Sequence, residues 1–117
     1  MSFFLKWLRP GTSSRIGLRP HRTVEVRLAF EAAYERALIE IESTLGANVY
    51  VDDRNGRLIE AGFGVINNER IRCTFDEIDA THTQVRIEAL FHAGSAVPEK
   101  SAAVDALADA VARATGV

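Results

Sequence analysis

Three histidines, one cysteine and a few clustered carboxylates are the side chains of this 117-residue sequence best suited to acid–base, nucleophilic or metal chemistry. His21, His82 and His92 stand far apart, and none has a second histidine at ligand spacing, so no histidine-based metal centre is expected. The stretch DEIDATH gathers Asp76, Glu77, Asp79 and His82, but such residues also shape the end of a strand and its turn. VDDRNG is not a calcium loop: Val51 stands at the first ligand position, and Gly62 stands where the bidentate glutamate is required. Cys73 falls on the core side of a predicted strand, without the exposure and basic neighbour that activate a thiolate. Glu60 and Glu88 are expected to pair with Arg72 and Arg86 across strands rather than to share a proton. No Gly-x-Ser-x-Gly elbow, phosphate loop or dinucleotide fingerprint occurs. No catalytic residue, metal ligand or cofactor is therefore assigned, and the expectation is a protein that is not an enzyme.

Two groups suit recognition better than reaction. The first is the opening, MSFFLKWLRP, in which Phe3, Phe4, Trp7 and Leu8 share one side of about two predicted helical turns, with Lys6 and Arg9 opposite. Ser2 is a plausible cap and Pro10 a stop. The apolar run is far short of the roughly 20 residues of a membrane-spanning helix. Lys6 breaks it, and neither a small-residue cleavage site nor a lipid-bearing cysteine follows, so it does not read as an export signal. Arg15 and Arg19 continue the basic character through PGTSSRIGLRPHR, which reads as an extended linker. Residues 1–22 carry five of the 14 basic residues and none of the 16 acidic ones, leaving the remainder at −7. Such an arm suits an acidic partner surface or anionic lipid, and the acidic body argues against a nucleic-acid platform.

The second group is the predicted open face of a sheet, with Glu25, Arg27, Tyr50, Arg70, Arg72, Arg86, Glu88 and Leu90. Among these, Arg27, Tyr50, Arg72 and Arg86 are the interaction candidates, because Arg and Tyr are favoured in interfaces. No aromatic pair suited to stacking nucleic-acid bases lies on these strands.

The elements that position these groups follow from periodicity. Residues 23–117 form one predicted domain behind the arm of residues 1–22. Val24, Val26, Leu28 and Phe30 alternate with polar or small neighbours, as in a half-buried strand. Phe30, Ala33, Tyr34, Ala37, Leu38, Ile41 and Leu45 then form a helical stripe that ends at Gly46. Four strand candidates follow: NVYVD, RLIEAGFGVI, RIRCTFDEI and TQVRIEALFH. DRNG supplies a tight turn, with Asn55-Gly56 the hairpin signal, Gly62 and Gly64 mark a bulge or bend, and DATH another turn. A last helix is expected from Pro98 to Gly116, with Val104, Leu107, Val111 and Ala114 as its stripe. The predicted class is α+β, ordered β-α-β-β-β-β-α. Successive hairpins set strands two to five side by side, and the first strand pairs with the fifth, giving an antiparallel sheet of order 1-5-4-3-2 with both helices on one face.

This order resembles the helix-grip and TATA-binding-protein-like folds. The stretch AYERALIEIESTLGANVYVDDRNGRLIEAGFG is similar to small, uncharacterised, lipoprotein-type bacterial envelope domains. In those, a helix ending in Leu-Gly leads to a strand, a polar turn and a second strand. The resemblance spans about residues 23–114 and implies a fold without implying catalytic residues. The functional expectation is an interaction or assembly subunit, cytoplasmic or peripheral to a membrane. It docks through Phe3, Phe4, Trp7, Leu8, Arg9, Arg15 and Arg19 on a protein partner, a membrane complex included, with weak attachment to an anionic surface as a variant. The alternative is a small-molecule site between sheet and long helix, where Tyr34, Phe63, Phe75 and Phe91 are expected to fill the space.

Overall fold

A computed structural model of the chain describes residues 20–64, 69–91, 98 and 100–113. Their elements are β1 (His21–Val26), α1 (Phe30–Leu45), β2 (Asn48–Asp53), β3 (Leu58–Gly62), β4 (Arg70–Asp79), β5 (His82–Leu90) and α2 (Ala102–Arg113). The five strands form one antiparallel sheet of order β1-β5-β4-β3-β2.

Alternation decides which way each strand faces. In β4, Ile71, Cys73 and Phe75 are buried, and in β5 Thr83, Val85, Ile87 and Ala89 are buried, while Arg70, Gln84 and Arg86 are exposed. The register pairs like with like: Cys73 faces Ile87, and Val85 faces both Phe75 and Val24. Against this face lie Phe30, Ala33, Tyr34, Ala37 and Ile41 of α1 and Val104, Leu107, Ala108 and Val111 of α2, in one continuous core. Phe30, Tyr34 and Phe75 meet with ring centroids 5.2–5.8 Å apart, mostly edge to face. Phe63 and Phe91 pack at the margin of this core rather than in its middle.

Several boundaries depart from the sequence reading. β1 begins at His21, inside the stretch read as linker, because Ala89 N–H bonds to Pro20 O at 2.9 Å and holds the chain in register from there. It ends at Val26, so Leu28 and Arg27 lie beyond the strand. The Thr83 hydroxyl donates to Leu28 O at 2.9 Å, fixing that turn into α1. The bulge lies in β2, between Val49 and Val51, not at the glycines of β3. The expected tight hairpin turn is present: Arg54–Arg57 form the connection, one residue later than DRNG, and Arg57, not Gly56, has positive φ (57°). The Asp53 carboxylate folds back over Gly56 to accept its N–H at 2.9 Å, and a Cβ on residue 56 would lie 2.3 Å from that carboxylate and turn it aside.

His82 opens β5 instead of sitting in the turn, since Ala80 and Thr81 alone make the reversal. α2 begins at Ala102 rather than Pro98: Val104 N–H donates to Ser101 Oγ at 3.1 Å, making Ser101 the N-cap. Ala114, Gly116 and His92 lie outside the described residues.

Candidate functional site

The sheet face opposite the helices brings the predicted interaction residues together through register. One row crosses the sheet from β3 to β1: Glu60, Arg72, Glu88 and His21 are successive cross-strand partners. Tyr50, at the β2 bulge, lies on the same face, where its hydroxyl donates to Glu60 Oε1 at 3.2 Å. Burial, then the Glu60 charge, raises the Tyr50 pKa. Arg72 Nε lies 2.8 Å from Glu60 Oε2, the expected cross-strand pair. Arg86 reaches Glu88 along its own strand instead, at 4.0 Å, because its direct neighbours are Thr74 and Thr23. A second row holds Gly62, Arg70 and Leu90. Gly62 leaves the backbone bare between Arg70 and Tyr50, and a Cβ there would touch both, at 3.4 and 3.5 Å.

Tyr50, Arg72 and Arg86 thus share one surface. Arg27 does not, because β1 ends one residue before it. Phe3, Phe4, Trp7, Leu8, Arg9, Arg15 and Arg19 lie outside the described residues.

Two grooves are lined by described residues elsewhere. One of about 380 Å³ lies where the β2–β3 connection meets the start of α1, lined by Phe30, Glu31, Arg54, Asn55, Arg57 and Glu77 among others. Its cations are already engaged. The Arg54 guanidinium stacks 4.6 Å from the Tyr34 ring and pairs with Glu31 at 2.7 Å and with Glu35. Arg57 stacks 4.7 Å from the Phe30 ring and pairs with Glu77 at 3.0 Å. Below them, Tyr34 donates to Asp52 Oδ1 at 2.5 Å; burial first, and then this carboxylate, push the phenol pKa up. These contacts clamp the connection to α1 over the aromatic cluster, so Tyr34, Phe30 and Phe75 occupy the space between α1 and the sheet.

The other groove, about 240 Å³, is lined by Pro20, His21, Lys100, Ser101, Val104 and Asp105. Serine, histidine and aspartate types meet here, but each is committed to structure. Ser101 Oγ donates to Glu69 while accepting Val104 N–H. Asp105 Oδ1 accepts from Arg22 at 3.2 Å, and Asp109 Oδ1 accepts from the same guanidinium at 3.1 Å. Sequence reasoning counted Arg22 with the basic arm. It instead ties the edge strand to α2 from the helix-facing side of β1, opposite Ile87.

Cys73 is fully buried, and burial pushes its thiol up to about 12. The Asp79 carboxylate, held first by Thr81 N–H and then by His82 and the Thr81 hydroxyl, drops to about 2. This is the turn role that DEIDATH suggested. Among the described residues, no group of three His, Cys, Asp or Glu side chains is placed to hold a metal ion. No described helix is long and apolar enough to cross a membrane. Comparison with protein-family models, curated proteins and solved structures finds no match for this chain.

Proposed function

We propose that this chain is a non-enzymatic interaction subunit. Residues 1–19 dock on a protein partner, which includes a membrane-associated complex, and the folded body is the platform that they serve. One observation carries this reading. Phe3, Phe4, Trp7 and Leu8 crowd into the first eight residues beside Lys6, and Arg9 follows at once. Aromatic side chains concentrated beside arginines are the composition of an interface anchor, and a few such residues carry most of the energy of a typical interface. The charge split adds to this: a basic arm on an acidic body favours an acidic partner surface and raises its association rate at low salt.

The test compares the full chain with a chain lacking residues 1–19. Each is assayed for co-purification of proteins from the source cells, for mass by light scattering and for flotation with vesicles containing anionic lipid. The reading expects a stoichiometric partner, re-bound after purification, that the truncated chain fails to hold. Loss of vesicle flotation alone would move the contact to lipid. Identical behaviour of both chains in all three assays overturns the reading.

A further inference from the structure

The β2–β3 connection holds a reactive pair that the interaction reading does not use. Asn55-Gly56 is the one place in the sequence where glycine follows asparagine, and both residues are exposed. We propose that Asn55 is a site of spontaneous modification, at which the Gly56 backbone nitrogen attacks the Asn55 side-chain amide, and that the Asp53 carboxylate sets the rate by holding that nitrogen. The inference goes beyond the interaction reading and does not depend on it.

The step uses water alone. Gly56 N gives up its proton to solvent and bonds to Asn55 Cγ, closing a five-membered imide. The Cγ–Nδ2 bond breaks, and Nδ2 leaves as ammonia with a proton from water. Water then adds to one imide carbonyl. Opening at Cγ leaves aspartate, and opening at the main-chain carbonyl leaves isoaspartate. Glycine suits the attacking position because it has no Cβ to obstruct the approach.

The fold acts on the nucleophile in two ways. Gly56 N–H donates to Asp53 Oδ1 at 2.9 Å. A carboxylate in that place favours the protonated nitrogen and repels the anion that must form. Arg57 N–H donates to Arg54 O at 3.1 Å, which closes the turn around the pair and limits the swing of Gly56 N toward Cγ. Arg54 and Arg57 are in turn pinned over the Tyr34 and Phe30 rings. The Asp53 contact is exposed to solvent and opens readily, so the expected protection is several-fold rather than complete.

The product would change the connection. Asn55 lines the groove with Glu31, Arg54, Arg57 and Glu77, and a new carboxylate there competes for the two guanidiniums. Isoaspartate also adds a main-chain carbon to a connection whose ends are fixed by the Asp53–Leu58 pair. The modification is therefore one-way and loosens the clamp on α1.

The test incubates the purified full chain in warm, mildly alkaline buffer beside a linear peptide of residues 51–60. Digestion and mass spectrometry follow the amide-to-acid conversion at Asn55, and isoaspartyl methyltransferase counts the isoaspartate. The full chain should convert at Asn55, several-fold more slowly than the peptide. Asp53→Ala and Asp53→Val, the second keeping strand propensity at the end of β2, should each convert several-fold faster than the parent. Asp53→Asn, whose amide oxygen still accepts the N–H, should stay closer to the parent. Circular dichroism identifies the variants that fold, and either of the first two suffices. Conversion of the folded parent at the peptide rate overturns the proposal. So does a parent that stays unconverted when the peptide is spent, or a folded Asp53→Ala or Asp53→Val chain that is as slow as the parent.

Discussion

At the scale of single residues, burial and backbone geometry make the sharpest claims. Arg57 holds a left-handed conformation that costs a non-glycine residue about 1–2 kcal/mol. Its contacts with the Phe30 ring and Glu77 offset part of that cost. Arg57→Gly should therefore be nearly neutral, whereas Arg57→Ala keeps the strain and loses both contacts. The glycine variant should be the more stable of the two by about 1 kcal/mol in chemical denaturation. Two buried groups also fix the alkaline limb of stability. The Cys73 thiol, pushed up to about 12, and the Tyr34 phenol, pushed up by burial, are both held neutral in the fold. A raised folded pKa means that the contribution is fully present below the unfolded value and lost as pH rises toward the folded one. Stability should thus decline from about pH 9 upward, where an unfolded thiol ionises, and further above about pH 10 as unfolded tyrosine does. Cys73→Ala should flatten the first part of that decline, and Tyr34→Phe the second. Equal denaturant midpoints at about pH 7 and about pH 11 in the parent chain would contradict the assignment. Alternation alone made the inward position of Cys73 legible. The role of Arg22 was not: its type matched the basic arm, and only the register opposite Ile87 shows that it faces α2.

At the scale of elements, the helix ends differ in a measurable way. α1 starts at Ala29 with no side-chain cap, whereas α2 starts at Ser101, whose hydroxyl serves Val104 N–H. Ala29→Ser should stabilise the protein by about 0.5–1 kcal/mol, and Ser101→Ala should destabilise it by about 1 kcal/mol or more, since Glu69 loses its donor as well. Urea denaturation reads both, and equal effects of one sign would refute the contrast. At its other end α1 closes on Gly46, at φ 64°, with Gly46 N–H on Glu42 O and Ala47 N–H on Ile41 O. That stop was legible, because few residues but glycine adopt this conformation at low cost. The bulge at Tyr50 and the one-residue offset of the turn at Arg54–Arg57 were not. A bulge depends on how two strands slide against each other, and Asn-Gly fits several turns whose choice rests on Asp53 folding over Gly56. The start of α2 was misplaced because Pro98 and Ser101 are both good helix openers, and only Ser101 has a hydroxyl for an otherwise unpaired N–H.

At the scale of the whole molecule, topology was legible because each step is local. Three consecutive hairpins fix four strands, and a helix that crosses the sheet leaves β1 one free edge, beside β5. The open face was partly legible. Period-two alternation placed Tyr50, Arg72 and Arg86 on it, but strand length was needed to remove Arg27. Among the described residues the core cluster runs from Val26 to Val111, and a chain lacking residues 1–19 should still unfold in one cooperative transition. A broad, non-cooperative melt of that chain would show that the body depends on its arm. The claim on which the account turns is that the arm carries the docking. Its most direct measurement transfers residues 1–19 to an unrelated monomeric carrier and titrates the fusion against the partner captured by the full chain. The account predicts that the carrier acquires the binding of the native chain. A carrier that stays inert, while the body without residues 1–19 still binds, would contradict it.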